Sequence, residues 1–197
     1  MKNRTRQTSL AILEKLPRLF DYADAGKLSG NANVFLTRAL KAGHVLRLAK
    51  GSYFNCLMYR NERPTIEETA CFVRRPTYIS CEWALNYHGV LLQVPTVCTA
   101  VTLHSTFGAR NTITYGDRVI EYSSISEKLF FGFETRDGVS IAHAEKALLD
   151  AIYLRKYVPF PDELELERLN PKKLKKLSAP YPATTRRAAE SIFSDMP

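Results

Sequence analysis

The sequence predicts an α+β protein in two parts: a small basic unit of short helices ending in a hairpin, and a larger mixed unit with a helical tail. Three observations carry this expectation. Residues 1–60 hold eleven Lys and Arg against three Asp and Glu, an excess of eight, whereas residues 61–197 hold seventeen of each, so the whole formal charge of +8 is N-terminal. Across Gly43 the apolar period changes from 3.6 to 2, which marks a helix followed by strand. Beyond residue 65, β-branched runs alternate with capped helical segments, the pattern of a sheet flanked by helices.

In the first part, Thr8 or Ser9 caps a helix with Leu10, Leu13 and Leu16 at helical spacing and Pro17 at its end. A second helix is expected over Leu19 to Ala25, stopped by Gly26, before a polar turn at Ser29-Gly30-Asn31. A third runs from Asn31 or Asn33 to Ala42, with Gly43 as its stop. Ala32, Phe35, Leu36, Ala39 and Leu40 share one side of it, and Asn31, Val34, Thr37, Arg38 and Lys41 the other. In "HVLRLAKGSYFNC", Leu46 and Leu48 are expected to face a core and Val45 and Arg47 to face away, with Lys50-Gly51 reversing the chain into Ser52-Tyr53-Phe54.

Three short helices and a hairpin are the plan of a winged helix-turn-helix, whose third helix lies in the DNA major groove while the wing reaches the adjacent backbone. Clustered cations attract polyanions by counterion release. The predicted DNA-contacting residues are therefore Asn31, Asn33, Thr37, Arg38 and Lys41 on the helix, Arg47, Lys50 and Ser52 on the wing, and Arg4 and Arg6 on a leading arm directed at the minor groove or a phosphate. Arg38, Lys41 and Thr37 are placed for base and groove contacts, Arg47 and Lys50 for phosphates. The polar stretch 58–65, with Pro64, separates a winged helix-turn-helix domain over 1–60 from a mixed α/β domain with a helical tail over 65–197.

In the second part, Thr65 to Val73 reads as a helix with Glu67 and Glu68 in its first turn, favourable to the helix dipole. "TYIS" leads to a helix "CEWALNYH" capped by Ser80 and closed at Gly89. "TVCTAVTL" (96–103) is a buried strand, and "TITY", "RVIEYS", "LFFGFE" and "VSIA" are shorter ones. "HAEKALLDAIYLRKY" is a strong helix, followed by helical segments around 162–169, 171–178 and 185–194. Trp83, Tyr87 and Phe72 are expected in the core. "PKKLKKL" reads as the solvated face of an amphipathic helix, with an auxiliary phosphate contact as the alternative.

Much chemistry is excluded. Gly51-Ser52 begins like a nucleotidyltransferase signature, but no aspartate lies between Asp24 and Asp117 to hold magnesium. No E-x-K supports a metal-dependent nuclease, and the phosphate-loop, dinucleotide, nucleophile-elbow and H-E-x-x-H patterns are all missing from the chain. His143, Glu145, Lys146 and Asp150 are the most catalytic-looking group. Their helical spacing explains them as a surface ion-pair ladder. No cofactor is expected. No apolar run approaches the roughly 20 residues that span a bilayer, and Glu14 and Lys15 break the N-terminal apolar stretch before any cleavage pattern. Cys56, Cys71, Cys81 and Cys98 form no C-x-x-C pair and are expected as reduced, mostly buried thiols of a cytoplasmic protein.

With these segments in order, the chain resembles the AbiEi-type antitoxins of bacterial type IV (abortive infection) toxin–antitoxin systems over about residues 5–155. The resemblance lies in "LTRALKAGHVLRLAKGSYF", "PTYISCEWALNYHGV" (76–90) and "VSIAHAEKALLDAIY" (139–153). Tyr78, Ile79 and Ser80 precede a helix with Ala84 and Leu85 closed by Gly89, and Ala142, Glu145, Lys146, Ala147, Leu148 and Asp150 fill an A-x-x-E-K-A-L-x-D pattern, with His143 where proline is common. The resemblance implies a non-enzymatic antitoxin of two domains. Its winged helix would bind inverted repeats in its own promoter and repress transcription. Its C-terminal domain would counter a nucleotidyltransferase-like toxin from the adjacent gene without an obligatory stable complex. Two alternatives remain: an enzyme acting on nucleic acid or nucleotides through the second domain, with His143, Glu145 and Asp150 as its candidate residues, and a stand-alone regulator with a ligand-sensing C-terminal domain and no toxin.

Overall fold

A computed structural model describes residues 9–105 and 111–194. The chain is mixed α+β and divides into two compact units, Met1–Thr65 and Ile66–Pro197, with separate apolar cores.

The first unit contains α1 (Ser9–Leu13), β1 (Leu19–Asp21), α2 (Tyr22–Leu28), α3 (Ala32–Lys41), β2 (Leu46–Ala49) and β3 (Ser52–Phe54). Its three strands are antiparallel in the order β1-β3-β2. Leu19–Asp21 is a strand, not the start of a helix. Asp21 and Asp24 bond each other's backbone amides at 2.9 and 3.2 Å in a capping box, so the helix begins at Tyr22 and the three residues before it pair with Phe54, Tyr53 and Ser52. Gly26 lies inside α2, which ends at Ser29, where the amide and hydroxyl both donate to the Ala25 carbonyl.

α3 starts where the periodicity places it, with the Asn31 Oδ1 accepting from the Val34 amide at 3.1 Å. It buries Ala32, Phe35, Leu36 and Ala39 beside Leu13, Phe20 and Tyr53. Val45 and Leu46 exchange the positions expected for them: Val45 is 3% exposed and Leu46 48%. The amides of His44 and Val45 both donate to the Ala39 carbonyl, which tucks Val45 under α3 before the strand begins. A bulge between Arg47 and Ala49 then resets the alternation. Asn55, fully buried, ties the unit together: its Nδ2 donates to the carbonyls of Leu13 (2.8 Å) and Leu16 (3.3 Å), and its Oδ1 accepts from the Met58 amide.

The second unit runs α4 (Ile66–Val73), β4 (Thr77–Ile79), α5 (Cys81–Tyr87), β5 (Val97–Thr102), β6 (Thr112–Tyr115), β7 (Arg118–Ser124), β8 (Phe133–Arg136), β9 (Val139–Ala142), α6 (Ala144–Arg155), α7 (Pro171–Ser178) and α8 (Ala183–Ser194). The strands form one mixed sheet in the order β6-β7-β5-β4-β9-β8, with β4–β9 and β5–β7 parallel. Alternation along β4 and β5 sends Tyr78 and Val101 to a core shared with α5, α6, α7 and α8 and Ile79 and Ala100 to another shared with α4 and β7.

Three expectations need correction. Strand structure in "LFFGFE" begins only at Phe133, after a 3-10 turn at Glu127–Leu129 and Gly132 at φ +74°. Residues 162–169 form 3-10 turns at Pro161–Glu163 and Leu166–Arg168 rather than a helix. The Glu165 amide bonds to the Val90 carbonyl at 2.8 Å and Leu164 pairs with Leu91, so between its two short turns the segment is laid against the loop after α5. Tyr87 is 63% exposed, while Trp83 is buried as expected. All four cysteines are free, and Cys71, Cys81 and Cys98 are buried; burial pushes the Cys71 thiol up to about 11. Among the described residues no helix is long and apolar enough to cross a membrane.

Candidate nucleic-acid interface

Residues 25–61 contain Lys27, Arg38, Lys41, Arg47, Lys50 and Arg60 and no aspartate or glutamate. Within this acid-free stretch α3 packs one face inward and leaves Asn33, Val34, Thr37, Arg38 and Lys41 exposed. Asn33, Thr37 and Lys41 succeed one another four residues apart, and Val34 and Arg38 form the neighbouring row, so polar and cationic groups share one stripe. Arg38 and Lys41 occupy the last turn, where the negative end of the helix dipole stabilises positive charge.

Gly43 (φ +71°) and Gly51 (φ +83°) take the left-handed backbone that the helix stop and the hairpin turn require. Lys50 precedes Gly51 and is exposed; Arg47 projects from β2, its guanidinium 5.9 Å from the centre of the Tyr53 ring. Tyr53 itself stacks on Phe20, which anchors the ring beneath the arginine.

Other predicted contacts fare differently. The Asn31 oxygen is committed to capping α3. Ser52 is 7% exposed, paired with Asp21 in the sheet, and its hydroxyl is not offered at this surface. Arg4 and Arg6 lie outside the described residues. Leu46, 48% exposed beside Arg47, is an apolar group that the regular alternation had assigned to the core.

The chain matches no protein-family model and no curated protein sequence. Its fold is similar to that of the RV2827C protein from Mycobacterium tuberculosis. The two superpose with a TM-score of 0.56 at 10% sequence identity, over 94% of this chain and 74% of that one.

The residues singled out on α6 are not a surface ladder. Lys146 and Asp150 are fully buried and 2.5 Å apart. Asp150 accepts on Oδ1 from Lys146 and from the Tyr181 hydroxyl (2.5 Å), and on Oδ2 from the hydroxyls of Tyr78 (2.9 Å) and Ser80 (2.7 Å). Lys146 also donates to Tyr78 and Tyr181, which uses all three of its protons. Burial pulls the lysine below its ordinary range, with Asp150 opposing, and pushes both tyrosines up. Ser80 stands at the N-cap of α5 with its hydroxyl diverted to Asp150. The segments 76–90 and 139–153 thus meet in one closed, internally satisfied network. Glu145 accepts from the Asn170 amide through Oε1 and forms an ion pair with Lys173 through Oε2, both at 3.1 Å.

Gly132 borders this network. A Cβ there would lie 3.2 Å from Cγ of Lys146, with φ at +74°, whereas Gly138 (φ +80°) faces open space. Gly132→Ala is expected to destabilise the protein by about 1–3 kcal/mol, and Gly138→Ala by less. The difference, read by urea denaturation, reports the crowding of the lysine; equal costs would show that only the backbone matters.

Elsewhere on this unit, Arg155 bridges Glu82 (3.3 Å), Glu121 (3.1 Å) and Thr99 (3.1 Å). It forms part of a cleft of about 380 Å³ shared with Glu82, Thr96, Tyr157 and Phe160.

Proposed function

We propose that the chain is a DNA-binding antitoxin that represses its own operon. On this reading the N-terminal unit is a winged helix-turn-helix, with α3 entering the major groove of an inverted repeat and the β2–β3 hairpin serving as the wing. The observation that carries it is the exposed stripe of α3 that holds Thr37, Arg38 and Lys41, inside 37 residues with six cations and no carboxylate. Arginine and lysine reach guanine edges and phosphates from such a helix, and threonine adds a short polar contact. The antitoxin part rests on the resemblance carried by segments 76–90 and 139–153, and its counterpart is a nucleotidyltransferase-like toxin encoded next door. A cytoplasmic location goes with this function.

The DNA-binding part is tested by band shift with the DNA upstream of the reading frame. Arg38→Ala and Lys41→Ala should each weaken binding by about 1–3 kcal/mol. Unchanged affinity in both variants removes α3 from the groove. The antitoxin part is tested by co-expression: growth arrest by the adjacent gene product should be relieved by the full chain.

The cleft beside Arg155 favours a second reading, a stand-alone regulator whose C-terminal unit senses a small ligand. An adjacent frame without toxicity, together with operator binding altered by a metabolite extract, would favour this second reading over the first.

A further inference from the structure

Residues 171–187 hold Lys172, Lys173, Lys175, Lys176, Arg186 and Arg187 and no aspartate or glutamate. This equals the charge of residues 25–61 in less than half the length, within a unit that is otherwise rich in acid. Folding makes the run a surface. α7 buries Leu174 and Ser178 and half-buries Leu177, which leaves Lys172, Lys175 and Lys176 exposed. Lys173 is drawn back to Glu145 at 3.1 Å. Arg186 and Arg187 are exposed near the start of α8. Lys175 and Arg186 line one shallow depression between the two helices, with Glu190 at its edge, and Arg186 is steadied by a bond from its Nη1 to the Ala179 carbonyl at 3.2 Å. Lys172 neighbours both Lys175 and Lys176 at the three- and four-residue spacing that stacks side chains along a helix.

We propose that α7 and α8 form a second polyanion-binding surface whose partner is the phosphate backbone of duplex DNA. A helix that lies on a membrane exposes a broad apolar face beside its cations; here Leu174 is 4% exposed and packs inside the unit. Lysines on flexible stems act as point charges toward phosphates, and contacts to phosphates carry no base readout. The surface therefore adds affinity and salt dependence while leaving sequence choice to α3. The choice of duplex DNA as the polyanion rests on the function proposed above for the N-terminal unit.

Fluorescence anisotropy of the full chain, on the upstream duplex and on a scrambled duplex of equal length across a salt series, tests the surface. Lys172→Gln/Lys175→Gln/Lys176→Gln retains good helix formers and should leave the circular dichroism unchanged. It is expected to lower the slope of log affinity against log salt by about 2.7, near 0.9 for each phosphate no longer neutralised, and to weaken both duplexes about tenfold at low salt. The ratio between the duplexes should stay, whereas Arg38→Ala/Lys41→Ala should erase it. An unchanged slope in the triple variant, with the ratio lost in the α3 variant, overturns this surface and leaves the N-terminal reading standing. A lowered slope with the ratio untouched by the α3 variant keeps the surface and overturns the N-terminal reading. Sedimentation with phosphatidylserine vesicles that the triple variant abolishes, at an unchanged DNA slope, overturns the surface in favour of a membrane.

Discussion

Asp150→Ala is expected to destabilise the C-terminal unit by about 3–5 kcal/mol, the cost of leaving a buried charge without its partner. The carboxylate is the hub of the network: it accepts from Lys146, Tyr78, Ser80 and Tyr181. Without it, an ammonium with no exposure keeps only two hydroxyl oxygens. Lys146→Met should cost less, because Asp150 would retain three hydroxyl donors. The double variant Lys146→Met/Asp150→Leu should recover part of the loss, since an apolar pair of similar volume demands no desolvation. Urea denaturation of the four proteins completes the cycle. A cost under about 1 kcal/mol for Asp150→Ala would mean that water reaches the site and that the pair does not hold the unit together.

Asn55→Leu is the second large effect, expected at about 2–3 kcal/mol in the N-terminal unit. The side chain is fully buried and makes three hydrogen bonds to backbone, two of them to the end of α1 around Leu13 and Leu16. A leucine of similar size fills the space and leaves those backbone groups without their partner, so the loss is one of hydrogen bonding rather than packing. Hydrogen exchange should show the protection of α1 falling before that of β3. Uniform loss across the unit would show that Asn55 holds the whole core and not this one junction.

Local signals were legible where a single element suffices. The cap at Asn31, the apolar row of α3 and the stop at Gly43 lie within a dozen or so residues, and the helix follows them. Leu19–Asp21 was not legible: three residues carry no period, and what makes them a strand is Ser52–Phe54, some thirty residues on. The same holds for Val45 and Leu46, because a bulge breaks the alternation on which their assignment depends. The candidate DNA face of α3 could be read from helical phase, but Ser52 could not be excluded from it without knowing which side of β3 meets the core.

The α6 pair shows the limit most clearly. Lys146 and Asp150 at four-residue spacing look like any surface pair, and their partners lie 68–72 residues upstream and 31–35 residues downstream. What excludes a ladder is burial, which the sequence alone does not show: buried residues run without a break from Glu145 to Ile152. A helix of that kind has no solvated face on which a ladder could stand.

The tie between Tyr181 and α6 also bears on how the chain is made. The hydrogen bonds of the Asn55 side chain reach only Leu13, Leu16 and Met58, so the N-terminal unit can fold as soon as it clears the ribosome. The C-terminal unit cannot satisfy its interior charge pair until Tyr181 has been synthesised. Domains mature in the order in which they emerge. During the interval, a nascent polypeptide carries a folded basic unit ahead of one whose buried charge pair still lacks a partner, and the arrival of Tyr181 completes that pair's hydrogen bonds.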